Sequence, residues 1–163
     1  MPRTIALDYG RKRCGLAHTD PEARIATALA TVPTPELMAY LLAYPYWNEV
    51  TGMVVGLPLQ HDQTPSENAA RTLRFCRQMR QRWAELPIYL LDERFTSILA
   101  QNSLLESGTS KSKRQRKDLV DQVAAVLILQ DFMRMHDQGL LHRLPRWEQE
   151  LVQASSENTP TRL

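Results

Sequence analysis

Short apolar runs order this chain, and helical periodicity fills most of the space between them. Thr4-Ile5-Ala6-Leu7 reads as a buried strand that exits into Asp8, Tyr9 and Gly10. Cys14 to Thr19 and Arg24 to Leu29 flank the polar turn Asp20-Pro21-Glu22-Ala23, so with the first run they predict a three-stranded antiparallel meander. Thr34 before Pro35 predicts a cap and a first helical turn, the helix running to about Tyr44 before Pro45 stops it. Val50 to Leu57 is apolar and β-branched, the pattern of a central strand, and leads into the loop Gly56-Leu57-Pro58-Leu59. Thr64-Pro65-Ser66-Glu67 has the form of a capping box; Ala69, Leu73, Cys76 and Trp83 then give a helix one apolar face, and Leu86-Pro87 ends it. Ile88 to Leu91 is a further buried strand exiting into Asp92, Glu93 and Arg94, after which Thr96 or Ser97 caps a helix to about Leu105. Gly108 to Lys117 holds no apolar residue and reads as a mobile basic loop. From about Asp118 to Met135 the pattern is helical and apolar almost all round, which predicts packing on the sheet and on other helices.

Composition narrows the setting more than the chemistry. The 163 residues suit one domain, and 43% hydrophobic with 23% charged is ordinary for a soluble globular protein. We expect residues 1–138 to form that domain and 139–163 to be a C-terminal extension, partly disordered. A formal net charge of +2 is too small to imply a polyanion partner, so any nucleic-acid argument rests on where the bases cluster. The two cysteines, Cys14 and Cys76, have neither metal-ligand spacing nor the density of a disulfide scaffold, which points to reduced thiols and a cytoplasmic protein. The longest apolar run, Val123 to Leu129, is far below the roughly 20 residues of a bilayer span, so no membrane partner is expected.

Chemistry enters with the acids. A buried strand cannot hold an unpaired ionised side chain, so Asp8 belongs at the strand's exit, facing a cation or a phosphate held through one. Gly10 lacks a Cβ and permits a tight turn into the basic trio Arg11, Lys12 and Arg13. Alone, such an Asp-x-Gly is most often a plain hairpin turn. Glu93 repeats the strand-end placement, however, and Asp121 shares a helix face with Ala124, Ala125 and Ile128. Each acid has an ordinary alternative: Glu93 paired with Arg94, Asp121 paired with a base from the Lys111 to Lys117 loop. All three together are harder to explain that way. If the first and last strands are neighbours running in one direction, Asp8 and Glu93 leave one sheet edge within reach of Asp121. Three carboxylates then suit Mg²⁺, with Mn²⁺ as the alternative, and two ions roughly 3.5 to 4 Å apart would drive phosphodiester hydrolysis.

These residues also resemble a known family. Asp8-Tyr9-Gly10 with Arg13-Cys14-Gly15-Leu16-Ala17, then Val55-Gly56-Leu57-Pro58-Leu59, then Asp92-Glu93-Arg94-Phe95-Thr96-Ser97, then Val120-Asp121-Gln122-Val123-Ala124-Ala125 are similar to the motifs of the YqgF/RuvX family, over roughly Arg3 to Gln138. Cys14 stands where that family more often has an aliphatic residue, and Gln63 where it often has glycine. The resemblance implies an α/β ribonuclease H-like fold, a five-stranded mixed sheet of a three-stranded antiparallel meander plus two parallel strands, flanked by helices. It implies a metal-dependent nuclease with Asp8, Glu93 and Asp121 as catalytic metal ligands, acting on the precursor of 16S rRNA or on Holliday junctions. Arg94 would then steady the scissile phosphate and Thr96 or Ser97 would donate to phosphate at a helix N-terminus. Arg11, Lys12, Arg13, Lys111, Lys113 and Arg114 would track the backbone of structured RNA or branched DNA, the protein being a monomer or a homodimer. Two rival readings are an actin-like ATPase, which needs two such domains, and a nucleic-acid-binding module without catalysis.

Overall fold

The computed structural model describes residues 2–57, 67–92 and 113–144, the side chains of 113–116 left aside. The meander forms as expected: β1 (Arg3–Tyr9), β2 (Arg13–Thr19) and β3 (Ala26–Pro33) pair antiparallel in succession. β3 begins at Ala26 rather than Arg24 and continues to Pro33 rather than Leu29. The late start has a local cause, since the Asp20 carboxylate accepts the backbone N–H groups of Glu22, Arg24 and Ile25 and holds the turn that far. Its extension past Leu29 left no apolar alternation to read, because this is an edge strand with Thr27 and Ala28 exposed.

β4 (Val50–Leu57) and β5 (Ile88–Asp92) run parallel to β1, and the strand order is β3-β2-β1-β4-β5. Only half of the condition set for Asp8 and Glu93 is therefore met: the first and last strands run in one direction but are not neighbours. β4 takes the place between them because its residues from Gly52 to Leu57 are all buried, which a strand paired on both sides and covered on both faces requires. β1 and β5 still end at the same edge, two strand spacings or roughly 10 Å apart.

Alternation along the strands divides the core between two faces. Ile5, Leu7, Leu16, Met53, Val55 and Leu90 are buried on one, beneath α1 (Leu37–Leu42) and α2 (Glu67–Arg82), which contribute Leu37, Leu41, Leu73, Phe75, Cys76 and Met79. Each such side chain contributes about 1.5–3 kcal/mol on leaving water. Ala6, Ala17, Val54 and Leu91 form the other, covered by α3 (Lys113–Asp137) through Ala125, Ile128, Leu129 and Phe132. Small residues dominate the β1 and β2 side of that second layer, so α3 lies close to the strands.

Two sequence expectations about helices are corrected. α3 starts at Lys113, so Lys113, Arg114, Arg116 and Lys117 belong to a helix and not to the predicted loop. Lys, Arg and Gln are good helix formers without any apolar pattern, and the docked remainder of α3 supplies the nucleus that they extend. Thr34 does not cap its helix: a 3-10 turn, Thr34–Glu36, precedes α1 with no side-chain cap, and the Thr34 hydroxyl is engaged elsewhere.

Candidate active site

Asp8 lies one residue before the end of β1, half-buried, on the face of Ala6 and α3. Its partner across the antiparallel ladder is Gly15. A Cβ on Gly15 would collide with the backbone carbonyl of Asp121, so the helix backbone rests directly on β2 beside Asp8. Strand and helix thus bring two carboxylates, 113 residues apart in sequence, to one end of one layer. The face shared by Asp121, Ala124, Ala125 and Ile128 is the docked face of α3, as its helical spacing predicts: the last three are buried.

The turn that delivers Asp8 is pinned at three carbonyls. The Asn68 side-chain amide donates to Tyr9 O at 2.8 Å, the Thr34 hydroxyl to Gly10 O at 2.7 Å, and the Thr34 N–H to Lys12 O at 3.0 Å. Gly10 is required there, because any Cβ would run into the Arg13 carbonyl. Arg11 and Lys12 project exposed from this turn. Arg13 turns towards α3: its Nε hydrogen-bonds Asp121 Oδ2 and lies 3.8 Å from Asp118 Oδ1. The Thr31 hydroxyl donates to Asp118 O at 3.0 Å and ties this end of α3 to β3.

Burial pushes the Asp121 carboxyl above the ordinary aspartate range, opposed by the hydrogen bond and charge of Arg13 and assisted by the Asp118 charge. Cys14 is buried on the opposite face of β2, against the Thr34 hydroxyl and Gly10 O. Burial raises its thiol, and the nearby charges of Asp8 and Asp121 raise it further, so it is a poor nucleophile. Among the described residues no three His, Cys, Asp or Glu side chains come together as a metal site. Glu93, Arg94, Thr96, Ser97 and Lys111 lie outside the described residues, while Lys113 and Arg114 form the first turn of α3.

Asn68 is a residue that sequence reasoning missed. It stands in the first turn of α2, and while its amide holds Tyr9 O, its Oδ1 is buried with no hydrogen-bond partner. An asparagine just inside a capping box signals a helix start, and nothing in its spacing indicates the carbonyl across the sheet edge.

An α/β/α sandwich with this strand order, an acid at the end of its first strand and another on the helix packed beside it, defines a ribonuclease H-like fold. The same fold is seen in Thermus thermophilus RuvC in complex with Holliday junction substrate, a solved structure 16% identical, with a TM-score of 0.53 over 83% of this chain and 97% of that one. The chain belongs to the RuvX family: the family model, described as Holliday junction resolvase, matches residues 2–135. Among its relatives, a protein of Bacteroides thetaiotaomicron named "Putative pre-16S rRNA nuclease" is 44% identical over 133 residues, covering 82% of this chain and 96% of its own. A protein of the same name from Parabacteroides distasonis is 45% identical over 133 residues, covering 82% and 95%.

Proposed function

We propose that this protein is a metal-dependent endonuclease that hydrolyses phosphodiester bonds of structured nucleic acid, with the 5′ end of pre-16S rRNA as its substrate. The observation that carries the reading is the meeting of Asp8 and Asp121 at Gly15, on one face and at one end of the sheet. Two carboxylates offer hard oxygen donors of the kind Mg²⁺ or Mn²⁺ prefers, so the residues fit such an ion. Glu93, which lies outside the described residues, is the third ligand in this reading. When bound, the metal supplies a more acidic water and offsets charge on the leaving oxygen. The chain's own residues do the rest. Asp8, on a turn pinned at three carbonyls, and Asp121, on a helix whose backbone touches the strand, are carried by elements already fixed against one another. In this reading Arg11 and Lys12, exposed on the turn after Asp8, contact phosphates flanking the cut, as do Lys111, Lys113 and Arg114. Arg94, Thr96 and Ser97 contact the scissile phosphate in this reading.

A second substrate, the four-way DNA junction, is favoured by the RuvC-like fold and by the family model's description. Purified protein is therefore offered a pre-16S rRNA fragment and a four-way junction side by side, with Mg²⁺ and with EDTA. Cleavage of the RNA only with Mg²⁺, lost in Asp8→Asn and Asp121→Asn, is the expected result. Junction cleavage alone would transfer the activity to DNA, and binding without cleavage of either would make the protein a binding module.

A further inference from the structure

The Arg13–Asp121 pair has a meaning beyond ordinary charge compensation. Arg13 opens β2, directly after the turn that carries Arg11 and Lys12, yet it does not share their exposure. Its Nε bonds Asp121 Oδ2 and approaches Asp118 Oδ1 at 3.8 Å, so one guanidinium serves two carboxylates of α3. The Asp121 side chain is only 20% exposed and that of Arg13 32% exposed, which leaves the pair only partly screened by water. A carboxylate so placed and left bare would stand against the like charge of Asp118. Arg13, set between the two carboxylates of α3, offsets that repulsion.

We propose that Arg13 is a stand-in cation on Asp121, a positioning residue that any divalent metal must displace before Asp121 can act as a ligand. This inference rests on the nuclease reading above. The physical reason is competition: guanidinium and metal each seek the same carboxylate oxygen, and once the metal is there the two cations repel. The displaced side chain has a natural partner, since guanidinium pairs phosphate as readily as carboxylate. Arrival of a phosphodiester thus draws Arg13 off Asp121 and opens the ligand, so that substrate and metal favour one another's binding. In the absence of nucleic acid the same residue keeps metal affinity low.

The test is a calorimetric titration of Mn²⁺ into the full chain at neutral pH with no nucleic acid present. Arg13→Gln is expected to bind Mn²⁺ about fivefold or more tightly than wild type, the low end of ordinary coupling between sites. Arg11→Gln, which removes an equal charge from the same turn but touches neither acid, is expected to change the affinity far less. Arg13→Lys keeps the charge, loses the Nε contact, and is expected to fall between the two; it also decides the matter should the glutamine variant fail to fold. A purely structural role for Arg13 predicts the opposite, weaker Mn²⁺ binding through a disordered Asp121, and that result or an unchanged affinity overturns the proposal. Asp121→Asn separates this failure from a deeper one: if it leaves Mn²⁺ binding intact, Asp121 is no ligand, and both the nuclease site and the stand-in role fall.

Discussion

Replacing Gly15 with alanine puts a methyl group where the backbone of α3 already lies. The new Cβ would overlap the Asp121 carbonyl oxygen, well inside the 3.4 Å at which ordinary contact begins, and stand 3.1 Å from the Asp121 Cβ. The obstacle is main chain on both sides, so no rotamer change relieves it. α3 must move away from β2 by on the order of 1 Å, opening the layer at Ala6, Ala17 and Ala125. Overpacking of this kind costs about 1–3 kcal/mol, which for a chain of this size lowers the melting temperature by roughly 2–12 °C. Because Asp121 travels with the helix while Asp8 stays with the strand, cleavage should fall by about a hundredfold, the usual penalty of a misplacement near 1 Å. Gly52→Ala is the matched control, since a Cβ there meets only Tyr89 Cε2 at 3.6 Å and Pro87 O at 3.8 Å. It should leave cleavage unchanged and stability equal or slightly higher. Thermal unfolding of both variants in EDTA, followed by cleavage assays with Mg²⁺, reads these differences. A Gly15→Ala protein that melts and cleaves like wild type would refute the claim that the helix backbone sets the distance between the two acids.

Three further predictions concern other parts of the molecule. His18, half-buried with Nδ1 2.6 Å from the Tyr44 hydroxyl, has its proton affinity lowered by burial and by the charge of Arg3. The unfolded chain therefore takes up the proton first, so stability is lost as pH falls from the ordinary 6.5 through the lower folded value; pH-dependent denaturant unfolding of His18→Gln should lack that loss. Thr34→Val removes the hydroxyl that donates to Gly10 O and should cost about 0.5–1.5 kcal/mol in chemical denaturation, with a larger proportional loss of cleavage because Asp8 sits on the loosened turn. Lys111→Ala with Lys113→Ala should weaken nucleic-acid binding without regard to sequence and flatten the slope of log K against log salt by about 0.7 to 0.9 per lost contact; an unchanged slope would remove these lysines from the phosphate interface.

Much of the fold was legible because it is written in local periodicity. The meander, the central strand Val50–Leu57 and the buried face through Asp121, Ala124, Ala125 and Ile128 all follow from spacings of two or of three and four. That β4 is central was legible, but not that β1 and β5 are the strands beside it, since parallel pairing joins segments far apart and does not name the partner. The start of α3 was hidden for a different reason: Lys113 to Lys117 form helix without an apolar stripe, and charge density alone looks the same in a loop. At the site, Asp8 and Asp121 could be singled out as acids that apolar surroundings do not explain. Thr34 turning from its helix to Gly10, Asn68 reaching Tyr9 and Arg13 closing on Asp121 could not, because each is a long-range choice of partner by a side chain with an ordinary local use.

The contact between Gly15 and α3 works as a mechanical stop. Side-chain interfaces drift, since one residue may grow as another shrinks and the gap between two elements changes by degrees. Main chain against main chain has no such freedom: its spacing is set by the radii of peptide atoms, the same whatever residues surround it. The rest of the layer, from Val54 to Phe132, can accordingly exchange volumes over evolutionary time while the interval between strand and helix at the acids stays calibrated. Precision at the site is in this sense insulated from variation in the core, and a designer wishing to graft new chemistry onto this sheet would keep the glycine before keeping either acid.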